Sequence, residues 1–301
     1  MSPSPAFDKP PTVDFADMAE QERINLGLHS FEDLEIQNFF IEGSQRDIPV
    51  RGYRSKTLET PSRIMLWFHG GAFVFGGLDM PESHVVSGEL AGQTPALVYS
   101  VDYKLVDDDT RFPCAQVDAL DVLDWAISKA TELGLGAEQI FIGGASAGAC
   151  LAGSLALLAR DRDIALGGVI PIYPVAHKLL PPFSDELKSQ LEGIFYFDEE
   201  FSAKHNPWLV EGLCDAEQAS WHCFPGDTKD KSGQAKMLVL QAQRDSLRSS
   251  GDLWVQQLRE AGNSVDEFTY AGAEHGFLNR SPKRDADMEG ALSRMAAFIR
   301  S

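Results

Sequence analysis

The chain has 301 residues, 44% hydrophobic and 24% charged, proportions ordinary for a globular protein able to bury a large core. Its 45 acidic against 26 basic residues give a formal charge of -19, which opposes binding to nucleic acid or an anionic membrane and leaves neutral or cationic small molecules as partners. Four cysteines without a CxxC pair form neither a disulfide framework nor a zinc pattern, so reduced structural thiols are expected.

The opening MSPSPAFDKPPT lacks the basic and apolar regions of a secretory signal. No apolar stretch approaches the roughly 20 residues that cross a bilayer. A cytoplasmic protein is therefore expected. Residues 1–12, with four prolines, read as an arm or strap, and 13–34 as one or two short helices. IQNFFIE and DIPVRGYR alternate like half-buried strands, and GSQRD between them suits an antiparallel hairpin. Then come near-continuous apolar runs at 63–69, 95–102, 139–145, 167–174 and 236–243, with a less apolar one at 264–272. Such runs fit parallel strands covered on both faces. Helical periodicity lies between them at 82–91, 115–133, 147–160, 249–261 and 285–300. The alternation predicts one α/β domain over 1–301, a mostly parallel sheet flanked by helices. The aromatic-rich insertion at about 175–235 holds no convincing core strand. Together with about 1–40 it is expected to form a cap over the carboxyl edge of the sheet.

The pentapeptide Gly144-Ala145-Ser146-Ala147-Gly148 follows the run QIFIG and precedes the helical ACLAGSLALLAR. G-x-S-x-G between a strand and a helix makes a tight turn that projects a serine hydroxyl at a helix N-terminus. Ser146 is thus the candidate nucleophile. Upstream, His69-Gly70-Gly71-Ala72-Phe73 ends the run RIMLWF. Backbone amides aimed at the oxygen that becomes negative are supplied in such sites by the residue after the nucleophile and by a glycine-rich loop. Ala147, Gly71 and Ala72 are the candidate oxyanion donors. His69 and Gly70 are expected to support the loop.

HGGAF followed by GASAG resembles the hormone-sensitive-lipase-like family of esterases, whose pattern is HGGG and GDSAG. Ala72 stands at that family's third glycine and Ala145 at its acidic position. An alanine amide donates as well as a glycine amide when its φ and ψ are ordinary. Asp102-Tyr103-Lys104-Leu105, Phe112-Pro113 and Asp118 resemble the family's DYRLAPE…FP…D segment and are read as structural. The resemblance covers about residues 45–300. It implies the α/β-hydrolase fold, ester substrates and no cofactor, and leaves a homodimer open.

In this fold the triad runs Ser, acid, His along the chain. Asp245 follows the run KMLVLQAQ, and with Leu247 and Arg248 it matches the family's D-x-L-R. His275, in His275-Gly276-Phe277, follows the last strand and matches its H-G-F. His275 would take the serine proton and Asp245 would hold the imidazole tautomer. Asp252 and Glu274 are the rival acids. His29, His84, His177, His205 and His222 are assigned to surface, cap packing or substrate lining. Phe39, Phe40, Phe195, Phe197, Trp208 and Trp221 are candidate lining or cap core. No metal set and no phosphate-loop pattern is present. These features together point to a carboxylic ester hydrolase for short- to medium-chain acyl esters. The alternatives are an acyltransferase or lyase using the same site, and a non-catalytic small-molecule receptor.

Overall fold

A computed structural model describes residues 31–192, 197, 199–279 and 286–301. The arm at 1–12, most of the helix expected over 13–34, His29 and Phe195 lie outside the described residues.

Eight strands form one sheet: β1 (Leu34–Glu42), β2 (Asp47–Ser55), β3 (Arg63–Phe68), β4 (Ala96–Val101), β5 (Ile140–Ala145), β6 (Gly168–Ile172), β7 (Met237–Arg244) and β8 (Val265–Glu274). Their spatial order is β1-β2-β4-β3-β5-β6-β7-β8. β1 pairs with β2 and β2 with β4 antiparallel, and all later pairings are parallel. The predicted hairpin is present, closed where Gly43 N–H donates to Arg46 O at 3.1 Å. β4, β5 and β6 are buried at every residue, which is why they read as unbroken apolar runs. β8 is the sheet edge and alternates in exposure, hence its weaker hydrophobic signal.

Eight helices occur among the described residues: α1 (Pro81–Gln93), α2 (Cys114–Glu132), α3 (Ala147–Asp161), α4 (Asp185–Gln190), α5 (Glu199–Leu209), α6 (Asp215–Ser220), α7 (Arg248–Glu260) and α8 (Ala286–Arg300). α2, α3 and α7 cover one face, where Leu123, Leu151, Leu155 and Trp254 pack on Ile64, Leu66 and Ile142. α1 and α8 cover the other, where Val85, Leu90, Met288 and Met295 meet Met65, Trp67, Val98 and Leu240. The expected α/β architecture is thus present. Among its described residues, the insertion at 175–235 contributes α4, α5 and α6 and no strand. The cap boundary expected near residue 40 falls inside β1, so residues 34–42 belong to the sheet edge. Phe39 accordingly packs on Tyr99 and Trp125 across the hairpin, and Phe40 is exposed. Neither is among the described residues that line the cavity at Ser146. All four cysteines are free, with Cys114, Cys150 and Cys223 buried and Cys214 exposed.

Candidate active site

β5 carries the chain to Ser146, which sits at φ 55° and ψ -113° as the residue before α3. Left-handed φ is costly for a side-chain-bearing residue. The turn holds it there, with Ser146 N–H donating to Ile172 O at 2.9 Å. The flanking glycines are sterically required. A Cβ on Gly148 would come 2.1 Å from Phe68 O, and one on Gly144 would come 2.5 Å from both Phe68 O and the Gly148 carbonyl carbon. The glycines therefore let α3 start against β3 and point the serine outward.

Two later strands end beside this turn. Asp245 follows β7 and His275 follows β8, so both residues emerge at the carboxyl edge that also carries Ser146. His275 Nδ1 lies 2.7 Å from Asp245 Oδ2, and its Nε2 lies 3.0 Å from Ser146 Oγ. Asp245 is buried, and its Oδ1 accepts the Leu247 amide at 2.9 Å. Burial alone would lower the basicity of His275. The Asp245 charge and hydrogen bond, followed by the Glu82 charge, outweigh it and raise the imidazole above its ordinary value. The rival acids face elsewhere: Asp252 accepts from Gln241 and Arg248, and Glu274 pairs with Arg244.

The glycine-rich loop lies against the same turn. Gly71 has φ 111°, and a Cβ there would sit 1.9 Å from Phe75 O, so only glycine fits. Ala72 and Phe73 follow at φ 51° and 66°. The ordinary backbone assumed for Ala72 is therefore not what the fold uses. Among the described residues, the amides of Gly71 and Ala72 meet no acceptor. Ala147 opens α3, so its N–H has no intrahelical partner. The imidazole of His69 is fully buried and stacks on Tyr103 at 4.4 Å. Its Nδ1 donates to Gly70 O at 2.6 Å, and Tyr103 donates to His69 O at 2.8 Å. Gly70 N–H donates to Glu82 Oε1 at 2.7 Å. Asp118, in the segment read as structural, accepts from Lys104 N and Arg46 Nε at 2.8 and 2.9 Å.

A narrow cavity, with about 30 Å³ of space open to a water-sized sphere, opens onto Ser146. Its apolar wall is Ala72, Phe73, Val175, Phe197, Phe201 and Leu247, and α5 adds Ser202, His205 and Asn206. Of the candidate lining residues, Phe197 is present, with its ring 5.3 Å from that of His275. Trp208 is instead buried beneath Arg111, and Trp221 packs on the core. His205 does face the cavity, and its Nε2 donates to Ala72 O at 2.9 Å. Burial pushes it below the ordinary histidine value, against the pull of that carbonyl. Of the other histidines, His84 bonds Tyr53, His177 bonds Ser250 and His222 bonds Asp161. The sequence reading missed Phe201, Ser202, Asn206 and Leu247 at the cavity, and it missed Glu82 and Tyr173 behind it. The missed residues of α5 carry a faint signal, since Phe201, Ser202 and Asn206 share one helical face with His205. Among the described residues no cluster of side chains could hold a metal ion, and no helix is long and apolar enough to cross a membrane.

A family model described as alpha/beta hydrolase fold matches residues 65–279. An arylesterase of Saccharolobus solfataricus is 28% identical over 86% of this chain and 82% of its own length. Carboxylesterase NlhH of Mycobacterium tuberculosis is 29% identical over 85% of this chain and 79% of its own. The solved esterase of Pyrobaculum calidifontis superposes with a TM-score of 0.75 at 27% identity, covering 93% of this chain and 89% of that one. With more than half the chain matched and esterases as its relatives, this protein belongs to the α/β-hydrolase fold family, in the hormone-sensitive-lipase-like group.

Proposed function

We propose that the protein hydrolyses carboxylic esters of short to medium acyl chains, with Ser146 as nucleophile, His275 as general base and acid, and Asp245 as the orienting acid. The observation that carries this reading is the hydrogen-bonded chain Asp245–His275–Ser146, at 2.7 and 3.0 Å, facing a cavity. The relatives named arylesterase and carboxylesterase support the same reaction class.

In this mechanism Ser146 Oγ attacks the ester carbonyl carbon and its proton passes to His275 Nε2. The carbonyl oxygen becomes negative and is met by the amides of Gly71, Ala72 and Ala147. The C–O bond to the alcohol breaks, and the leaving alkoxide takes the proton from the imidazolium. Water then attacks the acyl-serine, gives its proton to His275, and releases the acid as Ser146 recovers its proton. Asp245 keeps the imidazole in the tautomer whose Nε2 is free to accept, and stabilises the imidazolium. His69 and Gly70 hold the loop that presents the amides.

The pocket at Ser146 is narrow, and its apolar wall suits a small acyl group. The described part of the insertion, which brings Val175, Phe197 and α5 to the cavity, acts as its cap. The free, mostly buried thiols fit a reducing, cytoplasmic compartment.

The test is a series of p-nitrophenyl esters of graded acyl length with wild type and Ser146→Ala. Hydrolysis is expected to be fastest on short chains and to fall by at least ~10³-fold in the variant. An unchanged rate in Ser146→Ala would end the proposal.

A further inference from the structure

Behind the oxyanion loop lies a buried carboxylate that the mechanism above does not use. Glu82 stands in the first turn of α1 and is 2% exposed. Its Oε1 accepts the Gly70 amide at 2.7 Å. Its Oε2 accepts from Tyr173 Oη and from Asn279 Nδ2, each at 2.9 Å. Its main chain is engaged as well, with the amide donating to Asn279 Oδ1 at 3.2 Å and the carbonyl accepting from Trp67 Nε1 at 2.7 Å. Three donors converge on two oxygens, a pattern that suits an acceptor-only ionised carboxylate.

Each of the three donors belongs to a different part of the site. Gly70 precedes Gly71 and Ala72 in the glycine-rich loop. Tyr173 follows β6 at φ 37°, and its ring stands edge-on to the His275 ring at 4.8 Å. Asn279 closes the short turn after His275, where its amide donates to Gly276 O at 2.9 Å. Gly70 itself stands between the carboxylate and the nucleophile turn. A Cβ on Gly70 would lie 2.5 Å from Glu82 Oε1 and 3.3 Å from Ser146 Cβ.

We infer that Glu82 is a positioning residue that couples the oxyanion loop to the histidine loop, fixing both from one buried charge. This rests on the assignment of Ser146 and His275 above. Two effects follow. The first is geometric, since loss of the Gly70 anchor lets the loop amides drift from the developing oxyanion, a transition-state interaction. The second is electrostatic. The titratable and charged groups around His275 are Asp245 at the end of β7, Glu82 from α1 and Tyr173 after β6, while Glu274 beside it is turned to Arg244. On the far side of the loop, His69 faces Asp102 at 3.8 Å. Burial first, then the Glu82 charge, raise the Tyr173 phenol well above its ordinary value, so it stays a neutral donor. The Glu82 charge then acts on the imidazolium in the same sense as Asp245.

Glu82→Gln and Glu82→Asp separate the two effects. Glu82→Gln keeps the size and removes the charge. Its kcat is expected to fall about 10- to 100-fold with KM little changed, and the acid limb of its kcat/KM profile should move to lower pH. Glu82→Asp keeps the charge but falls one methylene short of Gly70. It should lose kcat while its acid limb stays with the wild type. If Glu82→Gln does not fold, Tyr173→Phe removes one anchor and leaves the carboxylate, and kcat is expected to fall several-fold at unchanged KM. A Glu82→Gln protein that is less heat-stable but keeps the wild-type kcat and acid limb would overturn the inference, as would a Tyr173→Phe protein with wild-type kcat. Ser146→Ala measured alongside distinguishes the failures. A wild-type rate there sinks the site assignment itself, whereas an inactive Ser146→Ala beside an unaltered Glu82→Gln sinks only the role of Glu82.

Discussion

Ala72 has φ 51°, in the region where an L-residue is strained by roughly 1–2 kcal/mol and glycine is not. Glycine gives back about 0.5–1 kcal/mol through its freer unfolded chain. Ala72→Gly is therefore expected to stabilise the fold by about 0.5–1 kcal/mol, or roughly 1–3 °C in Tm for a chain of this size. A lower Tm by scanning calorimetry would mean that the alanine methyl contributes packing that outweighs its strain. At His275 the sign follows from the proton. Only the neutral imidazole can accept from Ser146, and its pKa is raised above 6.5. The kcat/KM of a neutral ester should therefore climb with pH through an apparent pKa above that of free histidine. A profile flat across roughly pH 5–8 would remove His275 from the role of base. The candidates Ser146, Asp245 and His275, which the fold brings within hydrogen-bond distance, could be picked out because each sits in a short local pattern after a strand. Glu82 was not. In sequence it is one acid in a helix's first turn, and its partner Asn279 lies 197 positions away.

The elements most legible in the sequence were those whose burial leaves an unambiguous trace. β3 to β7 read as apolar runs because helices cover both their faces. The short helices of the 175–235 insertion were illegible for the converse reason. α4 and α6 are six residues each, with Leu187 the sole buried residue of α4 and none buried in α6, so no periodicity accumulates. α4 is instead held by polar contacts. Arg248 Nη1 donates to Gln190 Oε1 at 2.8 Å and to Gln243 O at 3.0 Å, and Arg244 Nε donates to Gln190 O at 3.2 Å. A charged hydrogen bond contributes roughly 1.5–3 kcal/mol. Arg248→Ala should consequently open this segment more often and speed limited proteolysis within 185–192 by about 10-fold or more, with global unfolding little affected. Equal cleavage rates in the two proteins would show that the segment is held by other contacts.

At the scale of the whole molecule the dominant quantity is the formal charge of -19. A field of that sign concentrates cations near the surface and is screened beyond about 10 Å at 0.1 M salt. Esters carrying a quaternary ammonium on the alcohol side should show a kcat/KM advantage over neutral isosteres at low ionic strength that shrinks as salt is added. A ratio independent of salt would mean that the acids lie where the cavity mouth does not feel them. The sheet also spreads the site across the whole fold. The loops after β3, β5, β7 and β8 all deliver to one edge, so the candidate site forms only when the sheet from β3 to β8 is assembled.

Thiol chemistry turns one detail of that assembly into a practical handle. Burial raises Cys114 to about 11 and Cys223 to about 12 and holds Cys150 well above its ordinary value, so none of them offers a reactive thiolate near neutral pH. Cys214, just before α6, stands in water. A maleimide dye or nitroxide added to the unaltered protein would consequently attach beside α6 alone, and its fluorescence or spin spectrum would report movement of that segment in real time during turnover.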